Sequence, residues 1–284
     1  MKMLVLASTA LALIASAASA ADLPRRAEPP PVFTPVPVFT WTGFYAGLET
    51  TYVWTDRSRA TTSSPSAVLD AGVADGTSRT RNVSLRSNDG LANIGGGGGY
   101  NYQFTPGSGI VVGAAVNIDW VDQHRNTFST STLGNVSQYG QGLEYLGTVT
   151  GRVGYAWDRF LVYGVGGLAF GSVDNSADFY GPAPGFALRY TGGDRSFRTG
   201  FAYGGGVEYA IPEDSFLNYL SVGKYLGIKS NAVTIKAEYL HYDLGSHSVF
   251  AGVQPGGFTP PGYNVRFRNE GNLVRVGFNY KFGG

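Results

Sequence analysis

Apolar and polar residues alternate along much of the chain, with the period of two that is typical of a β-strand. Between residues 110 and 120 the even positions are apolar, from Ile110 to Trp120, whereas Asn117 stands at an odd position. Near the C-terminus the even positions are again apolar or aromatic, and Arg275 and Lys281 lie between them. Eight such segments of about ten residues can be traced, and a tilted strand of that length crosses a bilayer.

The two faces of these segments differ in size as well as in polarity. Opposite the apolar face the residues are mainly Gly, Ala, Thr and Asn, with few charges. A soluble barrel would cover its polar face with Lys and Glu, whereas a narrow barrel interior needs small side chains. Trp54, Trp120 and Trp157 lie at strand ends, where aromatic side chains suit membrane interfaces. We therefore predict an all-β, eight-stranded antiparallel up-and-down transmembrane β-barrel whose apolar face contacts lipid.

The connections between the predicted strands alternate between long and short. Residues 105–108 and 158–159 are tight connections that suit periplasmic turns. On the same side, 211–231 carries Phe216, Leu217 and Leu220 at loosely helical spacing, so we expect a small helical periplasmic insert there. The four remaining connections are rich in Gly, Ser, Thr, Asn and Pro, and we predict long extracellular loops at 55–89, 121–142, 172–198 and 245–271.

The N-terminal forty residues carry the marks of export. Lys2 precedes an apolar run, and Ala18-Ser19-Ala20 is a small-x-small site, so residues 1–20 are predicted to be a cleaved signal peptide. Residues 21–40 are rich in proline, which favours an extended periplasmic leader over packed structure. The barrel domain is then expected to occupy residues 41–284.

The composition of the chain narrows the classes of protein to which it could belong. Charged residues make up 14% of the chain, well below the roughly 25% of soluble domains. The net charge is +1 without a Lys/Arg run, so no nucleic-acid partner is expected. The five glycines at 95–99 lack the Lys-Ser/Thr of a phosphate-binding loop, and we interpret them as strand glycines that admit bulky inward neighbours. No cofactor is predicted.

Several segments resemble one known family. They are GTVTGRVGYAWDRFLVYGVGGLAFG at 147–171, KAEYLHYDLG at 236–245, WTGFY at 41–45 and NLVRVG at 272–277. These resemble the alphaproteobacterial outer-membrane surface-antigen family of small porin-like β-barrels. The predicted barrel and export signal already indicate the cell outer membrane. The resemblance adds a role in the envelope and recognition of the C-terminal strand, ending at Phe282, by the barrel-assembly machinery. Family members usually end on an aromatic residue, whereas Gly283 and Gly284 follow Phe282 here.

Strand parity also predicts a charge network inside the barrel. Eight strands enclose a lumen that side chains just fill, and buried charges must pair or remain costly. We therefore expect a salt-bridged plug, with a narrow polar conduit for small solutes as the alternative. The residues predicted to point inward are Glu49, Asn117, Asp119, Glu144, Arg152, Glu208, Lys236, Glu238, Arg275 and Lys281.

A third hypothesis is catalysis at the outer rim. His241 and Asp243 lie close to Ser246 and Ser248, so a nucleophile, a base and an orienting group would have to converge there. No spacing supports this arrangement specifically, and solvated rim residues are the preferred interpretation. A metal site is not predicted, because the chain has no cysteine and no His pair at ligand spacing.

The expected partners are those of a monomeric surface barrel. Outer-membrane lipid and lipopolysaccharide should contact the protein, and loop arginines suit lipopolysaccharide phosphates, although a solvated loop is the preferred interpretation. Those arginines are Arg57, Arg59, Arg79, Arg81 and Arg86. The sequence thus favours a structural, surface-exposed outer-membrane barrel that supports envelope integrity without enzymatic turnover.

Overall fold

The computed structural model describes residues 38–55, 58–85, 93–212, 232–256 and 259–282. The predicted signal peptide, most of the proline-rich leader and nearly all of the predicted insert at 211–231 lie outside the described residues and stay predictions. Within these ranges there is one helix, α1 (Ala67–Ala74). No helix in the described ranges is long and apolar enough to cross a membrane.

Strands make up most of the described chain, and the eight predicted segments all fall within them. In chain order the strands are β1 (Gly43–Trp54), β2 (Arg59–Ser63), β3 (Asn82–Ser84), β4 (Asn93–Gln103), β5 (Ser108–Thr130), β6 (Val136–Trp157), β7 (Phe160–Tyr180), β8 (Leu188–Ala210), β9 (Ala232–Val253) and β10 (Gly262–Phe282).

Eight of these strands form a closed antiparallel ring. Their order is β1-β4-β5-β6-β7-β8-β9-β10, and β10 returns to pair with β1. The closing pair runs from Phe44 opposite Phe282 to Trp54 opposite Asn272. The predicted eight-stranded barrel is therefore confirmed, and the tight turns at 105–108 and 158–159 connect β4 to β5 and β6 to β7.

Two short strands and α1 were not predicted. Beyond Trp54 the chain continues along the same neighbour as β2, with Ala60 opposite Phe267, and β3 returns beside β2. The first extracellular connection, from β1 to β4, thus contains a short hairpin of β2 and β3 that continues the wall beyond β1. The helix α1 lies between the two strands of this hairpin in the chain.

The strands β5 to β10 are longer than the sequence pattern predicted. Each contains 21 to 23 residues, and most of 121–142, 172–198 and 245–271 is strand rather than loop. The apolar alternation ends where the wall leaves the hydrocarbon, because outward positions there meet water, although the backbone pairing continues. The extracellular side is therefore built from long hairpins, whose connecting loops are shorter than expected.

The predicted orientation of the two faces is confirmed. Phe44, Leu48 and Ile94 point outward and are 66%, 73% and 71% exposed. The outward apolar stretch from Ile110 to Trp120 covers eleven positions, about 25 Å along the membrane normal for a tilted strand. That height matches the apolar band of a transmembrane barrel.

The extracellular part of the barrel has an apolar core of its own. Inward residues of the long hairpins pack there against residues of β2, β3 and α1. Val73 of α1, Ala60 of β2 and Phe267 of β10 are each 0% exposed. The ladder between β8 and β9 stops between Thr191 and Phe201, so the wall above the membrane is paired less continuously at this seam.

Candidate functional site

The centre of the membrane-level interior is the guanidinium of Arg275 on β10. Its Nε and Nη2 donate to Oδ2 of Asp119, at 3.0 and 2.6 Å, and its Nη1 donates to Oε1 of Glu238 at 3.2 Å. The Nε atom also lies 3.5 Å from Oε1 of Glu49. One arginine is therefore shared by three carboxylates from β1, β5 and β9.

Further polar side chains surround this central cluster. Lys236 Nζ lies 2.5 Å from the second oxygen of Glu49. The hydroxyl of Thr51 donates to Oδ1 of Asp119 at 2.5 Å, and the hydroxyl of Thr148 accepts from Arg275 Nη2 at 3.2 Å. These contacts supply the additional hydrogen bonds that make a buried ionic cluster tolerable.

A second cluster lies nearer the periplasmic end of the barrel, around Arg152 on β6. Arg152 donates to Oδ1 of Asn101 at 2.6 Å and to Oε2 of Glu208 at 3.3 Å. Its guanidinium also lies over the rings of Tyr45 and Tyr163, at 4.5 and 5.1 Å from their centroids, a geometry that stabilises a desolvated cation.

The two clusters are connected through Tyr163. Its hydroxyl donates to Oε2 of Glu238 at 3.2 Å, and Glu238 belongs to the central cluster. On the Arg152 side, Glu208 accepts from Asn279 at 2.9 Å and also from Thr234. Polar contacts thus extend from strand to strand across the lumen.

The charged side chains of this interior are buried. A water-filled channel would leave inward side chains exposed, yet Asp119 and Arg275 are each 0% exposed and Arg152 only 5%. Packed side chains therefore fill the lumen at this level.

Most of the predicted interior residues are placed where strand parity put them. Seven take part in the ionic and hydrogen-bonded contacts above: Glu49, Asp119, Arg152, Glu208, Lys236, Glu238 and Arg275. Asn117 and Lys281 are also buried, each 5% exposed. The ammonium of Lys281 lies 5.8 Å from the ring centroid of Phe39, towards the periplasmic end.

Glu144 departs from the prediction. The register of β6 against β7 shifts between Leu143 and Tyr145, so Glu144 occupies a bulge that breaks the alternation. Its carboxylate forms an ion pair with Arg195, whose side chain is 63% exposed. Glu144 therefore lies outside the interior network.

Sequence reasoning missed several members of the network. The neutral residues Asn101, Thr51, Thr148, Thr234 and Asn279 occupy inward positions, as strand parity predicts, but the predicted network did not include them. Tyr45 and Tyr163 were not predicted to point inward, because aromatic side chains on a transmembrane strand are expected first on the lipid-facing side.

The glycines of β4 make room for the network. A Cβ atom at Gly95 would lie 2.3 Å from Oδ1 of Asp119, and one at Gly97 would lie 2.2 Å from Oδ1 of Asn117. Neither position can carry a side chain unless its neighbour on β5 moves. This confirms the interpretation of the five-glycine segment as strand that admits inward neighbours.

Three groups considered for a rim hydrolase, His241, Asp243 and Ser246, contact other residues rather than one another. His241 Nδ1 lies 3.0 Å from Oδ1 of Asn272, Asp243 pairs with Arg268 at 3.1 Å, and Ser246 accepts from Arg266. A His–carboxylate contact that the sequence did not predict joins His247 and Asp194 at 2.8 Å across the seam. The nearby Ser196 donates to Asp194 rather than to the imidazole, so no activated nucleophile forms.

Arg79 stabilises the extracellular core. It is 2% exposed and donates to the carbonyl oxygens of Val136 and Tyr180, at 3.1 and 2.9 Å. Its guanidinium lies over the ring of Phe179, 5.0 Å from the centroid. Burial lowers the pKa of Arg79 from its ordinary value. This arginine is therefore a structural group rather than a solvated loop residue.

The closed ring, the outward apolar band and the filled ionic interior define a small transmembrane β-barrel of the outer-membrane type. A family model described as "Outer membrane protein beta-barrel domain" matches residues 7–282. The chain belongs to this family, and the protein is an outer-membrane protein.

The curated relatives carry surface-antigen names. The "31 kDa outer-membrane immunogenic protein" of Brucella melitensis biotype 1 is 30% identical over 291 residues, covering 99% of this chain and 100% of the relative. The protein of the same name from Brucella suis biovar 1 matches equally. These relatives confirm the resemblance to outer-membrane surface antigens.

Solved structures of other small barrels are more distant. OprG from Pseudomonas aeruginosa aligns with a TM-score of 0.49 and 11% identity, covering 86% of this chain and 97% of its own. Neisserial surface protein A aligns with a TM-score of 0.34 and 11% identity, covering 85% of this chain and 98% of its own.

Proposed function

We propose that this protein is a monomeric, structural component of the outer membrane, which displays its extracellular hairpins at the cell surface and contributes to envelope integrity. The observation that carries the proposal is the buried cluster around Arg275, which fills the lumen with side chains from four strands, β1, β5, β9 and β10. A barrel closed in this way adds mechanical continuity to the membrane without admitting solutes.

Two further observations support this role. The extracellular hairpins enclose an apolar core that includes Phe179 and Phe267, each 0% exposed, and a core of this kind favours a folded surface feature over loose loops. The Brucella relatives are named immunogenic, which fits an exposed extracellular part. The groups at the rim do not assemble a nucleophile and a base, so we propose no enzymatic turnover.

Assembly follows from the same architecture. Phe282 ends β10 and lies opposite Phe44 of β1, so the closing strand is the segment that we expect the barrel-assembly machinery to bind. Because eight strands close upon themselves, the barrel needs no second copy to satisfy its strand edges.

Conductance of the refolded full chain in planar bilayers tests the closed lumen. The wild type should give no stable single-channel steps, whereas Arg275→Ala/Glu238→Ala should open a polar path and give them. Arg195→Ala is the matched control, because Arg195 lies on the outer wall with its side chain 63% exposed. A heat-modifiability gel verifies folding of each variant. Stable conductance of the wild type would instead establish the passive narrow porin.

A further inference from the structure

An arginine cluster lies on the outer wall of the barrel above the membrane. Arg59 of β2 and Arg266 and Arg268 of β10 line one depression of about 570 Å³ together with Ser246 of β9. Even-numbered residues of β10 point outward at this height, since Val265 and Phe267 between them are 0% exposed. The ladder between β2 and β10 ends with Ala60 opposite Phe267, and Arg59 and Arg268 are the residues that follow this last pair on the two strands.

The cluster carries positive charge that the described residues do not neutralise. Arg268 is shared between Asp243 and Glu270, at 3.1 and 2.8 Å. Arg266 donates from Nε and Nη2 to the neutral hydroxyl of Ser246, at 3.1 and 2.7 Å. Arg59 is exposed and makes no ion pair or hydrogen bond within the described ranges. Two of the three guanidinium groups therefore have no carboxylate partner among these residues.

The height of the cluster points to the headgroup region of the outer leaflet. Trp54 marks the upper aromatic level and lies opposite Asn272. Arg268 lies four residues before Asn272 on β10, towards the extracellular end. This separation is about 13 Å along the strand, or about 10 Å along the membrane normal once the tilt is included. Arg59, at the same height, is well placed to meet a headgroup from the side.

A second depression connects this cluster to the apolar band. It has a volume of about 510 Å³, and its lining runs from Phe201, Tyr203 and Tyr239 past His241 to Arg268. Aromatic residues line its lower end, and the guanidinium of Arg268 with its partners Asp243 and Glu270 lines its upper end. With Arg59 and Arg266 in the adjoining depression, this order of groups matches an amphiphile whose acyl chains lie in the membrane and whose anionic groups lie just outside it.

We propose that Arg59, Arg266 and Arg268 form a binding site for the phosphates of lipopolysaccharide. Lipopolysaccharide forms the outer leaflet of this membrane and carries phosphates on its sugar headgroup, and the planar guanidinium donates two parallel hydrogen bonds to such an oxyanion. A soluble polyanion would approach the apex of the barrel, whereas these arginines face sideways, next to the lipid.

The structure thereby changes which arginines are candidates. Arg79 is buried in the extracellular core, and Arg81 pairs with Asp70, with 3.9 Å between Nη2 and Oδ2. Arg57 and Arg86 lie outside the described residues. Of the loop arginines that the structure describes, Arg59 alone joins this site.

Binding of purified lipid A to the refolded full chain in detergent tests the proposal. Titration is followed by tryptophan fluorescence, with bis-phosphorylated lipid A, its dephosphorylated form and phosphatidylglycerol as probes. Arg59→Gln/Arg266→Gln is the main variant, because neither arginine leaves a described carboxylate unpaired. Arg81→Gln is the matched control. We expect the double variant to bind bis-phosphorylated lipid A at least tenfold more weakly than the wild type, and the control to bind as the wild type does.

The probes separate the possible sources of binding. Dephosphorylated lipid A should bind the wild type and the double variant equally weakly, and phosphatidylglycerol should bind less tightly than bis-phosphorylated lipid A. Arg59→Lys/Arg266→Lys should retain part of the affinity, since charge remains but the paired hydrogen bonds are lost. Unchanged affinity of the Gln variant, or equal binding of phosphatidylglycerol, would overturn the proposal. Conductance plays no part in these readouts, so this result and that of the closed lumen are independent.

Discussion

Replacement of Arg275 by methionine tests the plug most directly. Methionine preserves much of the volume but removes the guanidinium that Asp119, Glu238 and Glu49 share. Glu49 would keep Lys236 as a counter-ion at 2.5 Å. Asp119 and Glu238 would retain only hydroxyl donors in the contacts described above, from Thr51 and Tyr163. Two carboxylates would thus remain buried without a cation.

The expected loss of stability is large. Removing one partner of a buried ion pair costs about 3–5 kcal/mol, and here one arginine serves more than one carboxylate. Arg195→Met is the control, because its ion pair with Glu144 lies on the outer wall with 63% of the arginine side chain exposed. An exposed pair of this kind contributes at most about 1 kcal/mol.

Urea unfolding in lipid vesicles at pH 7 measures the free energy of unfolding of both variants. It is followed by tryptophan fluorescence and by heat-modifiability. A second substitution, Asp119→Asn, removes one of the stranded charges. The double variant should therefore be more stable than the sum of the two single losses predicts, by about 1–3 kcal/mol. A loss of less than about 1 kcal/mol for Arg275→Met, or a double variant without coupling, would refute the role of Arg275 as shared counter-ion.

Two further predictions concern the glycines of β4 and the extracellular core. Gly97→Ala should lower the refolding yield far more than Gly96→Ala, because its Cβ atom would lie 2.2 Å from Asn117 whereas that of Gly96 would lie 3.1 Å from its nearest neighbour; equal yields in a heat-modifiability gel would contradict this. Arg79→Met should raise amide exchange in the hairpin tips, since two carbonyl oxygens lose a charged donor worth about 1.5–3 kcal/mol each. Exchange in β1 should stay unchanged, and a rise there would argue against a separate extracellular core.

The membrane-level architecture could be predicted from the sequence because one physical rule governs each face. Outward positions such as Leu48 and Phe278 meet lipid, and inward ones such as Glu49 and Gly277 meet one another. The period of two therefore predicted the strands, the orientation of their two faces and the residues of the barrel interior. The same rule identified most of the ionic plug, since a charge on an otherwise small face has to pair inside the barrel.

The remaining features depend on geometry that parity cannot supply. Glu144 lies outside the network because a bulge between Leu143 and Tyr145 shifts the alternation of inward and outward residues. Bulges have no strong sequence signal. The partners of Arg275 come from β1, β5 and β9, so pairing depends on the stagger of distant strands. Tyr163 lies inward because Gly154 and Gly206 leave room for it: a Cβ at either position would approach its side chain to within 2.9 Å.

The strands are longer than the sequence predicted because the two faces of the wall exchange polarity above the membrane. Along β10 the odd positions point inward at every level, but the polarity of the two faces is exchanged near Gly271. Below that level Arg275 and Lys281 are inside and Val276 and Phe278 outside, whereas above it Val265 and Phe267 are inside and Arg266 and Arg268 outside. One strand thus passes from lipid into water, and its ladder with β9 continues on both sides of a register shift between Arg268 and Glu270. The apolar residues move from the even to the odd positions at this exchange. A pattern of apolar residues at even positions therefore ends there, and the sequence beyond it resembles a loop. The exchange also separates the two cores, and it leaves the outer arginines directly above the aromatic residues that face the membrane.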